Sequence, residues 1–215
     1  VIAPVAAGQQ LGTMKVMLDG QPAGEFPLVA QAPVEEGSFF AYDGGFTGGV
    51  HVAAGDVDGD GAVDIITGAG AGAAPHVKVF NGTSGLLISS FFPFEPSFAG
   101  GVHVAAGDVN GDGVADLITG AGAGSVGGPV KVYSEAGSTL LTSFLGLGGS
   151  VTHGVRVGAG DLNGDGRAEI LVAAGPGGTT QVTAIDYQTG ASSVSVFLDA
   201  IEVEGGLPSE EVMQA

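Results

Sequence analysis

Apolar and polar positions alternate with period two in short bursts, "VHV" at Val50–Val52, "VKV" at Val77–Val79 and again at Val130–Val132. That spacing predicts half-buried antiparallel strands rather than helices. Glycine-rich punctuation separates the bursts. The pattern recurs: "FTGGVHVAAGD" (Phe46–Asp56) returns as "FAGGVHVAAGD" (Phe98–Asp108) and more loosely as "VTHGVRVGAGD" (Val151–Asp161). Each unit reads as four strands, the first near Val50–Ala54, the second beginning at Asp64–Thr67, the third at His76–Phe80 and the fourth at Leu86–Phe92. Four strands per repeat of about fifty residues is the pattern of a propeller blade. Tandem β-sandwich modules need about 100 residues each and fit less well.

The expected fold is therefore all-β, a β-propeller-like array of four-stranded antiparallel blades with three complete repeats and a partial N-terminal blade. Repeat 1 is assigned to 46–98, repeat 2 to 99–150 and repeat 3 to 151–199. Residues 1–45 read as strands two to four of a blade lacking its first strand, with "MKVM" (Met14–Met17) as its third strand. In this segment "VIAPVAAG" (Val1–Gly8) reads as a docking strand, and the proline-bearing Gln21–Glu36 as an excursion. Residues 200–215 hold one strand, Ala200–Glu204, and a polar tail.

Composition sharpens this picture. The chain has 215 residues, 42 of them glycine, and 44% are hydrophobic, too many for a disordered chain. Five Lys+Arg stand against 23 Asp+Glu, a formal net charge of −18. Such a surface repels a phosphate backbone, which argues against nucleic acid as a partner. It suits divalent cations. There is no cysteine, so disulfides cannot brace the fold. No run of about 18 apolar residues predicts a transmembrane segment.

The acidic residues are concentrated between the first and second strand of each unit. Counted from the first aspartate, oxygen-bearing side chains fall at positions 1, 3, 5 and 9. They are Asp56, Asp58, Asp60 and Asp64 in the first loop, then Asp108, Asn110, Asp112 and Asp116 in the second. The third loop has Asp161, Asn163, Asp165 and Glu169. Alternate residues of a tight loop can turn enough oxygens inward for Ca²⁺, which takes 6–8 oxygen ligands. Glycine at position 6 (Gly61, Gly113, Gly166) permits the sharp turn. The position-7 carbonyls of Ala62, Val114 and Arg167 are candidate backbone ligands by the same geometry. An EF-hand would need a bidentate Glu at position 12 and flanking helices. Position 12 is Thr67, Thr119 and Val172 here, and the flanks read as strands. A plain Asp/Gly turn would account for one such loop; three at a blade-length period point to about three Ca²⁺ sites.

Strand, D-x-[DN]-x-D-G-x-x-[DE], strand, in a fifty-residue repeat, resembles the FG-GAP repeat of integrin α-subunit propellers and of many bacterial extracellular proteins. The likeness is strong over Phe46–Phe197 and partial over Val1–Gly45. It implies that calcium at the twelve loop side chains braces hairpins within blades, in a structural role. Propellers of that family commonly have seven blades, whereas this chain has three units and a fragment. Glu169 departs from the usual Asp at position 9, which bears on the third site's geometry.

Other features have plainer readings. His51, His103 and Arg156 occupy the same place in their units, five residues before each loop. They could line a channel and bind an anion, or pack between blades or face solvent. Phe39, Phe40, Phe91, Phe92 and Phe144 read as inter-blade core. "NGT" at Asn81–Thr83 fits an N-glycosylation acceptor. "GAGAG" at Gly68–Gly72 and Gly120–Gly124 leads into a strand, not a helix N-terminus, and reads as close backbone packing rather than a phosphate loop. No nucleophile elbow, P-loop or HExxH occurs. The functional expectation is an extracellular or cell-surface, calcium-stabilised structural or adhesion protein, not an enzyme, that self-associates through terminal strands into a ring or filament. The alternatives are a propeller module binding a glycan or protein ligand and, after that, a secreted hydrolase or lyase.

Overall fold

The computed structural model describes residues 10–18, 21–29, 39–147, 152–179 and 181–190, and for 11–18 and 21–29 the backbone only. Two compact units partition the chain, Val1–Phe40 and Ala41–Ala215. In the first, β1 (Gln10–Leu18) and β2 (Gln21–Val29) form an antiparallel pair with Lys15 opposite Glu25. The expected excursion is thus a strand over Gln21–Val29. Pro22 and Pro27 lie within it, and its ladder is to β1 alone among the described strands, where proline is tolerated at an open edge. Val1–Gly8 lies outside the described residues.

The second unit is built from blades. The first is β3 (Val50–Gly55), β4 (Asp64–Ala69), β5 (Val77–Phe80) and β6 (Leu87–Phe91), hydrogen-bonded in that order. The second is β7 (Val102–Gly107), β8 (Asp116–Ala121), β9 (Pro129–Ser134) and β10 (Thr139–Leu145), with a single 3₁₀ turn at Glu135–Gly137. The third contributes β11 (Val155–Gly160), β12 (Glu169–Ala174) and β13 (Val182–Ile185). Its expected fourth strand and Ala200–Glu204 lie outside the described residues. No α-helix occurs among the described residues. The fold is all-β, as the alternation requires, and each strand of the first blade begins within about a residue of its expected start, whereas β1 begins four residues before the expected Met14.

The registers of the repeats are identical. Gly55 pairs with Asp64, Gly107 with Asp116 and Gly160 with Glu169, so each acidic loop closes a hairpin between first and second strands. Two clusters cement blade to blade. Val57, Ile66, Val77 and Val79 of the first blade meet Val102, Val104 and Leu117 of the second. Ile118, Val130 and Val132 of the second meet Val155, Ile170 and Val172 of the third. Most of these side chains are fully buried. Of the phenylalanines expected in the core, Phe91 and Phe144 pack against these clusters. Phe39, Phe40 and Phe92 are instead exposed, Phe40 by 85%.

The first strands of neighbouring blades touch, β3 against β7 and β7 against β11. This brings the equivalent residues together. The His51 and His103 rings lie 3.9 Å apart, and Arg156 Nη1 contacts His103 Nε2. His103 is buried while Arg156 is exposed, so the packing reading holds for His103. Burial first, then His51 and Arg156, holds the His103 imidazole down to about 3. The fold therefore keeps this ring neutral while the unfolded chain protonates it near pH 6.5. The contribution of neutral His103 is fully present above pH 6.5 and is lost as pH falls from there towards about 3. Compared with His103→Gln, the wild-type unfolding free energy should fall more steeply between pH 7 and pH 4.5. Parallel profiles from denaturant titration would contradict this.

Candidate metal centres

Each loop folds around its first aspartate. Asp56 Oδ1 accepts from Gly59 N (2.8 Å) and Oδ2 from Gly61 N (2.9 Å). Asp108 repeats this with Gly111 and Gly113 at 2.6 and 2.8 Å, and Asp161 with Gly164 and Gly166 at 2.7 and 2.9 Å. The position-6 glycines have φ of 86°, 88° and 88°, a left-handed conformation that side chains disfavour. The position-7 amides of Ala62, Val114 and Arg167 donate to the position-5 carboxylates at 2.8, 2.8 and 2.9 Å.

Position 9 opens the second strand and is buried in all three blades: Asp64, Asp116 and Glu169. Its carboxylate accepts from the position-2 amide, Val57 at 3.1 Å, Val109 at 3.0 Å and Leu162 at 2.7 Å. The longer Glu169 makes the same bond as the aspartates. Burial, together with the charges of Asp112 and Asp108, raises the Asp116 carboxyl to about 6 against the pull of the Val109 amide. Buried carboxylates among other carboxylates are costly unless a cation compensates them.

In the first loop, carboxylate oxygens of Asp56, Asp58 and Asp64 lie within 4.8 Å of one another, a spacing that a divalent ion can bridge. Asp60 is not in that group. Its Oδ2 accepts from Asn81 Nδ2 at 2.8 Å instead. The same Asn81 accepts at Oδ1 from Thr83 N, Ser84 N and Ser84 Oγ, so the amide nitrogen that would carry a glycan is already used to hold the loop.

Position 3 separates the loops electrostatically. Asn110 Nδ2 donates to Asp112 Oδ2 (2.9 Å) and Asp116 Oδ1 (3.4 Å). Asn163 Nδ2 donates to Asp165 Oδ2 (3.3 Å) and Glu169 Oε1 (2.9 Å). An amide N–H between two carboxylates relieves their repulsion. The first loop has Asp58 there, a fourth carboxylate with no N–H to offer. Asp58→Asn should therefore raise stability in chelator while weakening calcium affinity at that loop. Melting curves with and without calcium check both signs; a variant less stable in chelator would contradict the argument.

The donor set is thus oxygen only, carboxylates and amides on a glycine-tight frame, which fits a hard cation such as Ca²⁺. When bound, the ion would supply charge compensation at position 9 and tie the hairpin together. Of the twelve side chains, nine lie in the loops and the three at position 9 open the second strands; in the first loop the structure brings Asp56, Asp58 and Asp64 together but not Asp60. The spacing did not foretell the role of Asn81, which lies 21 residues from Asp60, although an Asn opening a turn beside a strand end was a usable signal.

The geometry agrees with what the chain resembles. The FG-GAP repeat model matches residues 100–134 and 153–197. These segments are FG-GAP repeats. Register and loop hydrogen bonding extend the same unit to the first blade, residues 50–91. Residues 1–36 match the model of the penicillin-binding protein 5 C-terminal domain. That match covers the β1–β2 pair, which lies in the unit Val1–Phe40. No curated protein sequence matches the chain.

Among solved structures, the chain is similar to the Bacillus licheniformis rhamnogalacturonan lyase PL11, at 15% identity and a TM-score of 0.50, covering 83% of this chain and 40% of that one. It is also similar to the exotype rhamnogalacturonan lyase YesX, at 16% identity and a TM-score of 0.53, covering 84% of this chain and 39% of that one. The chain spans about two fifths of these proteins. At such identity the likeness concerns the fold. Among the described residues no helix is long and apolar enough to cross a membrane.

Proposed function

We propose that this FG-GAP chain is a calcium-stabilised structural or adhesion module that works outside the cell and carries out no catalysis. The observation that supports it most is the buried position-9 carboxylate in every blade, set among further carboxylates in a loop that closes a structural hairpin. Placing the ligands at a strand start makes the ion part of the blade. Modules of modest affinity suit the extracellular medium, where calcium dissociation constants of about 10⁻⁴–10⁻³ M are sufficient.

Self-association is supported by the outer face of the first blade. Val50, Val52, Val63 and Ile65 are exposed there, Val52 by 69%, whereas the equivalents of Val50, Val52 and Ile65 in the second blade, Val102, Val104 and Leu117, are buried against a neighbouring blade. An apolar sheet face of this kind is suited to another protein surface. Calorimetry with CaCl₂ and sedimentation velocity in calcium test the two parts separately. The expected results are saturable calcium uptake and concentration-dependent assembly that Val52→Glu abolishes. Absence of uptake would overturn the calcium reading. A monomer at all concentrations would overturn assembly.

A further inference from the structure

The acidic loops of successive blades are bonded to each other. The Ala115 amide donates to the Asp56 carbonyl at 2.8 Å, and the Ala168 amide donates to the Asp108 carbonyl at 2.7 Å. Both ends of each bond are placed at candidate ligands. The acceptor is the backbone of position 1. The donor is the residue before position 9, Asp116 or Glu169. Side chains repeat the link: a Cβ built on Gly59 would stand 3.2 Å from Val114 Cγ2, and one on Gly111 3.1 Å from Arg167 Cδ. Position 7 of one loop therefore lies over position 4 of the loop before it.

The strand leading into each loop is gripped as well. A Cβ on Gly55 would come within 2.8 Å of Ala106 Cβ and 3.0 Å of Ala115 Cβ. The equivalent Gly107 faces Ala159 and Ala168 at 2.7 and 2.9 Å, so neither position can carry a side chain without parting the blades. Backbone bond, side-chain contact and glycine slot together give a continuous chain of contacts from loop to loop.

We infer that the three loops take up divalent cations as a coupled series, in which an ion in one loop favours binding in its neighbours. This rests on the calcium reading above and adds a regulation to it. An ion that fixes Asp108 also fixes the Asp108 carbonyl, and with it the peptide that positions Glu169. An ion that fixes Asp116 fixes the peptide bonded to Asp56. Coupling of this kind is reciprocal, and a typical strength is about 5–150-fold in affinity. It is strongest between adjacent loops, so the middle loop, which has neighbours on both sides, dominates the response.

The test is a CaCl₂ titration of the ¹⁵N-labelled full chain, with the amides of Gly61, Gly113 and Gly166 as separate reporters for the three loops. Each donates to the position-1 carboxylate of its own loop, so each senses its own ion. Asp112→Ala should cripple the middle loop and shift the midpoints of the Gly61 and Gly166 reporters upward by about fivefold or more. Asp165→Ala should shift Gly113 more than Gly61. Val114→Ala keeps every oxygen ligand and trims the side chain that lies over Gly59, so it should weaken the first loop without unfolding the chain. That variant decides the matter if Asp112→Ala fails to fold. Unchanged Gly61 and Gly166 midpoints in Asp112→Ala, or an unchanged Gly61 midpoint in Val114→Ala if that variant decides, would show independent sites and overturn the coupling while leaving calcium binding intact. If no reporter of the wild-type chain responds to calcium, the metal reading itself falls, and the coupling with it.

Discussion

Excess EDTA should lower the melting temperature by roughly 15–30 °C and open the acidic loops to proteases. The reason is the burial of Asp64, Asp116 and Glu169, each a carboxylate at the start of a second strand with other carboxylates beside it. A ligand that binds only the native state stabilises it by about 2.7 kcal/mol per site at a hundred times its dissociation constant. For a chain of this size, 1 kcal/mol corresponds to about 2–4 °C. Three sites give the range stated. The ten loop carboxylates also belong to a chain of net charge −18, and each divalent ion removes two units of that self-repulsion. Cleavage should fall within 56–64, 108–116 and 161–169 before any β-strand is cut. An unchanged melting curve, with metal loss confirmed, would contradict the structural role of the ion.

The second large effect concerns the glycines of the "GAGAG" segments. Gly122 donates its amide to the Gly101 carbonyl at 3.0 Å, and a Cβ placed on it would run into the Gly100 carbonyl oxygen. Gly70 and Gly175 stand in the same position against Gly48 and His153. The obstacle is backbone, which cannot rotate away as a side chain could. Gly122→Ala should therefore cost about 3 kcal/mol or more, the upper end of what overpacking does. The loss should persist in saturating calcium, because the contact is not in a loop. Gly113→Ala is the informative contrast. A Cβ there meets open space, and the cost is the left-handed φ of 88°, about 1–2 kcal/mol. Urea titrations of the two variants in calcium compare them; equal losses would mean that the close approach at Gly122 relaxes easily.

Much of this protein was legible in its sequence because the repeat states the same local problem three times. Alternation at Val50–Val52 and Val77–Val79 assigns strands, and Asp/Asn/Gly spacing assigns the loops, since turn geometry and side-chain hydrogen bonding are decided within about ten residues. The twelve oxygen-bearing side chains and the position-6 glycines needed no tertiary information.

What only the tertiary structure decided is how equivalent residues differ once they are stacked. Val52 and Val104 have the same neighbours in sequence, yet one is exposed and the other buried, because the second blade packs that face against the first. Asp60 turns to Asn81 because a turn between third and fourth strands folds back beside the loop. Gln21–Val29 pairs as a strand despite two prolines, since among the described strands its other side is an open edge, where a missing N–H interrupts no ladder. The bonds from Ala115 to Asp56 and from Ala168 to Asp108 join residues about sixty apart. Local periodicity specifies faces and turns, whereas contacts at that separation exist only after one blade has closed on the next.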